Sequence, residues 1–485
     1  MAGAQAARYG LQFAVLPVLA RMLGPSAYGL VGLAMPFILL CNMVADMGLG
    51  NALVRTPDPP PLLESTVFWL CEGACAALVA LVGLLVWPAS ALFAAPGLPA
   101  IVIALSPILV LGAALSVPNA RIMRARRFAV FAAADTGAGV VSAAAAIAAA
   151  AAGWGAWSLV AQQLVLWTVK AAWVMSASRF RPRLIFDFAV AKPHLTFGLH
   201  AAAANVADFI GKSSPALIIG AVLGVKAVGH YSMANQIIRV PDALVSGPVY
   251  LAIFAAISSR AQDLEAASRL TMRALRGIAV GIAPMFFGLA VVADLAVKLL
   301  LGHKWLGTID VLVLLTPAGF LICLYSTVVA SLLGLGRSAE QFHLTLLTGL
   351  FMNAGVLIGA RYGVAGAAAG LSAGGLLITP AYIWTLARSL KVSARVLAVE
   401  ASAPIGASLV MAAAVLLLRQ AIGGWQEWAQ LVVSILVGIA AFSVALGLLC
   451  GRRLWLDFRE ILPLGAFPWK GKPGAASLEP NGRPG

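Results

Sequence analysis

The chain has 485 residues, 61% of them hydrophobic and 11% charged, where soluble domains carry about 25% charged residues. No water-soluble core of this size uses so much apolar sequence, so an all-α polytopic membrane protein is expected. A net charge of +15 would suit nucleic acid, but only if the basic residues gathered on one soluble surface, and they do not.

Apolar runs of roughly 20 residues predict about 14 spans. They lie near 5–22, 28–49, 65–87, 99–119, 129–151, 156–176, 197–223, 229–257, 276–301, 309–333, 341–360, 364–387, 398–418 and 429–450. The runs around Ala143–Ala152 and 398–418 are rich in alanine and give the weakest signals. The N-terminal run leads straight into a Gly-Pro turn, so it reads as a span rather than a cleaved leader.

Basic residues collect in alternate loops. Arg55, Arg121, Arg124, Arg126 and Arg127 share one side with Arg179, Arg181, Arg183 and Lys192. Arg260, Arg269, Arg273, Arg276, Arg337, Arg388, Lys391, Arg395 and the tail after Cys450 fall on the same side. The opposite loops hold few, among them Lys226, Lys304, Arg361 and Arg419. This asymmetry places both termini in the cytoplasm and turns the positive charge toward anionic inner-leaflet lipids.

One segment occurs twice. Residues 20–34 read ARMLGPSAYGLVGLA, and 220–234 read GAVLGVKAVGHYSMA. Gly24/Gly224 and Gly29/Gly229 recur at the same shift, and glycine there would permit positive φ or close helix approach. A weaker echo links Arg127–Gly153 to Arg337–Gly363, so a duplicated unit of about 200 residues is expected. Small residues at Gly277/Gly281 and Gly366/Gly370/Gly374 mark further helix contacts. Pro17, Pro36, Pro107, Pro241, Pro248, Pro284 and Pro317 lie within spans and predict bends. The stretch SRAQDLEAASRLTMRALR, starting at Ser259, reads as a helical connector near the membrane surface.

An ionisable group at the bilayer centre costs about 2.5–3.5 kcal/mol on insertion scales, so it faces a cavity or a partner. Lys212 and Arg239 lie deepest, on consecutive spans, each with an acid beside it, Asp208 and Asp242. A structural ion-pair cluster and a cationic cavity wall both fit this pattern. Arg8 and Lys170 join the cavity set or snorkel to an interface, and Glu72 and Asp135 are further pairing or ion-coupling acids. Asp294 and Lys298, one turn apart, read as a local surface pair.

Nothing points to a catalytic or metal centre, and no cofactor is expected. The five histidines are scattered, no Walker loop occurs, and Cys71 and Cys75 read better as packing residues than as ligands.

The run LARMLGPSAYGLVGLAMPFILLCNMVADMGLGNALVR resembles the opening of bacterial polysaccharide flippases of the colanic-acid and O-antigen exporter type. These belong to the multidrug/oligosaccharidyl-lipid/polysaccharide exporter superfamily. LIIGAVLGVKAVGHYSMANQIIRVPDALVSGP, LLLGHKWLGTIDVLVLLTPAG and LLGLGRSAEQFHL agree with it. The resemblance implies two six-helix lobes related by a pseudo-twofold along the membrane normal, spanning 1–176 and 197–388. A cytoplasmic basic linker (177–196) joins them, and two further helices (396–450) and a largely disordered tail (451–485) follow. It implies alternating access that carries undecaprenyl-diphosphate-linked oligosaccharide from the cytoplasmic to the periplasmic leaflet of the inner membrane. A polysaccharide polymerase and a chain-length regulator are candidate partners. Lys212 takes the family's basic position in the seventh span, but Pro215 stands where the neighbouring acid would be; Arg239 ahead of Pro241 matches the eighth. A cation-coupled drug or small-solute antiporter of the same superfamily is the first alternative. A membrane-embedded polymerase or glycosyltransferase is the second, and short external loops argue against it.

Overall fold

The structure is a computed structural model that describes residues 10, 14–56 and 58–461, with the backbone alone described at 51, 194–205, 207, 208, 248 and 450–461. No strand occurs among the described residues. The helices are α1 (14–22), α2 (Pro25–Asp46), α3 (Leu49–Arg55), α4 (Pro61–Leu92), α5 (Leu98–Leu105), α6 (Pro107–Ala114) and α7 (Ser116–Arg124). Then come α8 (Phe128–Ala151), α9 (Ala156–Ser178), α10 (Phe188–Leu223), α11 (Val225–Pro241), α12 (Gly247–Ser258), α13 (Leu264–Ala296) and α14 (Thr308–Gly334). The last are α15 (Ser338–Gly359), α16 (Gly363–Leu390), α17 (Ala394–Ala421) and α18 (Glu427–Ile461). Ten segments among the described residues are long and apolar enough to cross a membrane. One of these, Ser338–Leu390, folds back through a single turn at Ala360–Tyr362 into α15 and α16.

Proline and glycine set the breaks. Pro107 sits at the start of α6, where the helix running from Leu98 is interrupted. Pro241 closes α11 ahead of a π turn over Asp242–Ser246, which leads into α12. Gly224, with φ +81°, ends α10 and starts α11, a conformation that costs an L side chain energy. Its repeat partner Gly24 is extended (φ −99°), because Pro25 at the first helical position makes that turn instead. The two glycines therefore recur for different backbone reasons.

α2 and α11 sit at the centre of the bundle. α2 packs on α4, α5, α6, α9 and α10, and α11 packs on α2, α10 and α14. α13, α14, α15 and α16 form a contiguous group beyond α11, and α17 and α18 lie on α13. The stripe Gly366/Gly370/Gly374 fulfils its expectation: a Cβ at Gly366 or Gly370 would strike the carbonyl oxygen of Gly359 or Gly355, and one at Gly374 that of Phe351. Gly277 has open space instead, so it marks no helix contact.

The expected surface connector is the opening of a spanning helix. Asp263 caps α13 by accepting from the Ala266 amide at 2.9 Å, and α13 then runs on unbroken to Ala296. Asp294 pairs with Arg419 of α17 at 2.6 Å rather than with Lys298, because the guanidinium is held there by a second hydrogen bond to the Val291 carbonyl. Toward the other end of α13, Arg276 pairs with Glu400 of α17. The two pairs run in opposite directions and fix α17 along α13.

Candidate functional site

The repeated segment packs against its own copy. A Cβ at Gly29 would collide with the Val225 carbonyl oxygen and crowd the Gly229 nitrogen. A Cβ at Gly229 would collide with the Pro25 carbonyl oxygen, and one at Gly32 would lie 2.8 Å from Ser232 Oγ. Positions 25, 29 and 32 thus meet 225, 229 and 232. Exchanging the two copies maps this contact onto itself, which is the signature of a local twofold between α2 and α11.

The flanking loops repeat the relation. Trp305, wholly buried in the α13–α14 loop, donates its indole N–H to the Ala20 carbonyl at 2.8 Å. It meets Tyr28 edge-on, with ring centroids 5.3 Å apart. Phe93, in the α4–α5 loop, lies with Val228 and Leu33 around Gly220. Ala20 and Gly220, like Tyr28 and Val228, are copies of one another. The Trp305 side is polar: His230 hydrogen-bonds Thr308 at 2.8 Å, Arg21 donates to the Leu299 and Leu300 carbonyls, and Lys304 reaches Arg21 and Met22. The Phe93 side is apolar, with Phe37 edge-on at 6.2 Å. Together these contacts seal the end of the bundle where α1 turns into α2.

Beyond the seal both stripes continue along their helices. On α11 the stripe Val225, Gly229, Ser232 continues through Gln236, Arg239 and Ala243; on α2 the stripe Pro25, Gly29, Gly32 continues through Pro36, Leu39 and Met43. From Ala227 to Pro241, Arg239 is the single exposed residue on a helix otherwise enclosed by neighbours. It lies on the stripe that meets α2 two turns earlier. Lys212 obeys the same logic. It lies two turns from Ile219 on a stripe that includes Pro215, both buried, while Ile210 and Ala221 are exposed on another side of α10. Gly211, one residue earlier, faces Gly349 of α15. Lys212 is thus exposed on a stripe of α10 that is buried further along, as Arg239 is on α11.

Asp242 opens the π turn one helical turn after Arg239 and accepts a hydrogen bond from the buried Cys323 thiol at 3.5 Å. Such turns recur at functional sites because they re-aim side chains. Ser246, at the end of that turn, is buried. Arg8 and the side chain of Asp208 lie outside the described residues.

Two expected members of the set meet each other. Lys170 and Asp135 form an ion pair at 2.7 Å across the α8–α9 hairpin. Glu72 is half-buried on α4 between Cys71 and Cys75. Both thiols are fully buried, and no cluster of three metal-ligating side chains occurs among the described residues.

The sequence reading passed over Gln236, which shares the α11 stripe with Arg239. It also passed over Glu64, 3% exposed at the start of α4 and bridging Arg121 and Arg124. Beside it the segment after α9 is stapled down. Phe180 lies under the Arg121 guanidinium at 4.9 Å, the Arg183 amide donates to Ser65, and the Asp187 amide donates to Thr66. Glu64 sits three residues past Pro61, a helix-start position that the pattern of apolar runs assigns to a loop edge.

A model of the family described as polysaccharide biosynthesis protein matches residues 18–310. The chain is 29% identical over 356 residues to the succinoglycan biosynthesis transport protein ExoT of Rhizobium meliloti (strain 1021), covering 73% of this chain and 71% of that one. It is 24% identical over 373 residues to the lipopolysaccharide biosynthesis protein WzxC of Escherichia coli (strain K12), covering 74% of each. Its fold is that of the lipid II flippase MurJ, with a TM-score of 0.75 at 15% identity over 94% of this chain and 98% of that one.

Proposed function

The chain belongs to the polysaccharide biosynthesis protein family, and we propose that it flips an undecaprenyl-diphosphate-linked oligosaccharide from the cytoplasmic to the periplasmic leaflet. Two relatives are named for succinoglycan transport and for lipopolysaccharide biosynthesis, and the fold is shared with a lipid II flippase. In this reading α1–α9 form one lobe and α10–α16 the other. α17 and α18 travel with the second lobe, because the Arg276–Glu400 and Arg419–Asp294 pairs tie α17 to α13.

The observation that carries the proposal is Arg239, exposed on the stripe of α11 that meets α2 at Gly229 and Ser232; we read the space beside it as the transport cleft. In this reading its α11 wall carries Gln236 and Arg239, its α2 wall carries Pro36, Leu39 and Met43, and Lys212 of α10 joins them. A diphosphate needs donors with fixed positive charge, which Arg supplies bidentately and Lys as a point charge. Gln236 adds a neutral donor and acceptor suited to sugar hydroxyls. The prenyl chain needs no polar contact and remains in lipid.

The distribution of Lys and Arg orients the bundle with its basic loops in the cytoplasm of a bacterial inner membrane. The α2–α11 seal then lies on the periplasmic side, and the cleft opens toward the leaflet where the lipid-linked glycan is made. Transport requires that this seal part and a cytoplasmic one form, and the substrate shifts that equilibrium only by its differential affinity for the two states. Asp242, one turn from Arg239, is the acid best placed to respond to the cation's occupancy. The basic end faces anionic lipids, and a polymerase that consumes the flipped product is the natural downstream partner.

Deletion of the protein is expected to trap undecaprenyl-linked glycan on the cytosolic face, as read by protection from externally added glycosidase in spheroplasts. Complementation with the double variant Lys212→Ala/Arg239→Ala is expected to leave the trap in place at normal membrane abundance. Full export by that variant would overturn the assignment of the cationic wall. Drug efflux in place of glycan export would identify the superfamily's antiporter chemistry instead.

A further inference from the structure

We propose that the outer face of α9 and the strap that follows it form a binding site for one anionic phospholipid, separate from the transport cleft. The core-facing stripe of α9 runs through Leu159, Val160, Trp167, Ala171 and Val174. Thr168, Ala172 and Ser176 are exposed about half a helical turn away from it. Along this outward side runs an open groove of about 430 Å³, lined by Thr168, Val169, Ala172, Trp173 and Ser176. It meets, at Ser176, a second concavity of about 640 Å³ lined by Met175, Ser176, Arg179, Phe180 and Arg181. The two follow each other in the order of a lipid's own parts: a basic hollow at the helix end, then a mostly apolar channel toward the bilayer.

The strap is built to hold that hollow open. Phe180 turns inward under Arg121 and against Phe68 at 5.7 Å, so the flanking Arg179 and Arg181 both stand exposed. The backbone hydrogen bonds from Arg183 to Ser65 and from Asp187 to Thr66 keep the segment from swinging away. Beyond Arg183 the strap presents Leu184, 90% exposed, with Phe186 and Phe188 also exposed. Apolar side chains following arginines suit the boundary between headgroups and acyl chains. A lipid phosphate would sit between Arg179 and Arg181, accepting charge-assisted hydrogen bonds, with one acyl chain against Trp173 and Ala172. The strap connects α9 to α10, so such a lipid would brace the joint between the two halves of the chain.

The placement rests on the cytoplasmic orientation given above, but its test needs no transport. The full chain is reconstituted in phosphatylethanolamine vesicles containing phosphatidylglycerol, re-extracted in mild detergent, and assayed by mass spectrometry for phosphatidylglycerol retained per protein. Wild-type protein is expected to retain it, and Arg179→Gln/Arg181→Gln to lose it by roughly thirtyfold in affinity, about fivefold for each basic residue near a headgroup. Ala172→Trp, which fills the groove and leaves both arginines, is expected to reduce retention as well. Equal retention by wild type and the arginine double variant would overturn the site. Displacement of the lipid by millimolar inorganic phosphate would replace it with a small-anion site. Either result leaves the flippase reading to stand or fall on Arg239 and Lys212.

Discussion

α2 and α11 are copies of one segment, yet they have kept different things at their two ends. Near the local twofold the copies are almost interchangeable: Gly29 and Gly229 each rest on the backbone of the other helix. Nearly three turns further on, equivalent positions hold Leu39 on α2 and Arg239 on α11. Where two backbones touch, no side chain fits on either copy, so the physics forbids divergence. Beyond those glycines a side chain fits on both copies, so each face is free to specialise. A symmetric contact continued by two unlike faces follows from that difference.

The largest effect is expected at the symmetric end. In Gly29→Ala/Gly229→Ala each new Cβ meets a carbonyl oxygen rather than a side-chain tip, so neither helix can give locally and the pair must move apart. Overpacking costs about 1–3 kcal/mol at each such site, enough to shift a two-state equilibrium by one to several factors of ten. The double variant should insert normally, lose export, and let an impermeant thiol reagent reach a cysteine placed at Gln236 from outside the cell. Gly32→Ala meets only the Ser232 hydroxyl, which can rotate, and should export nearly as wild type. Equal behaviour of the two variants would remove the backbone contact as the cause.

The asymmetric end should respond less severely. A hydrogen bond to a charged group contributes about 1.5–3 kcal/mol, so Arg239→Leu is expected to weaken substrate binding by about ten- to a hundredfold. The comparison is sharpened by moving the cation across the cleft, as Leu39→Arg/Arg239→Leu. If the diphosphate needs only a positive charge in the mouth, the swap restores export measured by surface polysaccharide; if it needs the α11 wall with Gln236 and Asp242, it does not. We expect no rescue, because a guanidinium on α2 has neither neighbour.

What was legible in the sequence follows from the range of the forces involved. Long apolar runs announce helices because the bilayer has to be crossed with every backbone group satisfied. The Gly29/Gly229 echo announced a contact because close approach leaves a compositional trace. Arg239 and Lys212 stood out because charge in an apolar run has few explanations. The ion pair Lys170–Asp135 was hidden, since each residue is as conspicuous alone and nothing local joins positions on adjacent helices. The same holds for Asp294, whose partner Arg419 lies 125 residues away. Glu64 was hidden differently: its meaning lies in Arg121, Arg124 and a strap stapled beside it, all distant in the chain.

The smallest expected effect tests whether the two sides of the seal have diverged in function as well as in chemistry. Trp305 and Phe93 occupy equivalent places, but only the indole carries an N–H, given to the Ala20 carbonyl. Trp305→Phe keeps an aromatic ring beside Tyr28 and removes that bond, a loss of about 0.5–1.5 kcal/mol. Outside labelling of the cysteine at Gln236 should then rise by roughly two- to tenfold, with export reduced but present. Phe93→Leu keeps an apolar plug against Gly220 and Val228 and should change labelling less. If instead Phe93→Leu opened the cleft as far as Trp305→Phe, the seal would depend on volume alone. The hydrogen-bonded side would then be no more a latch than the apolar one, because a direction-specific bond would be adding nothing that packing does not already supply.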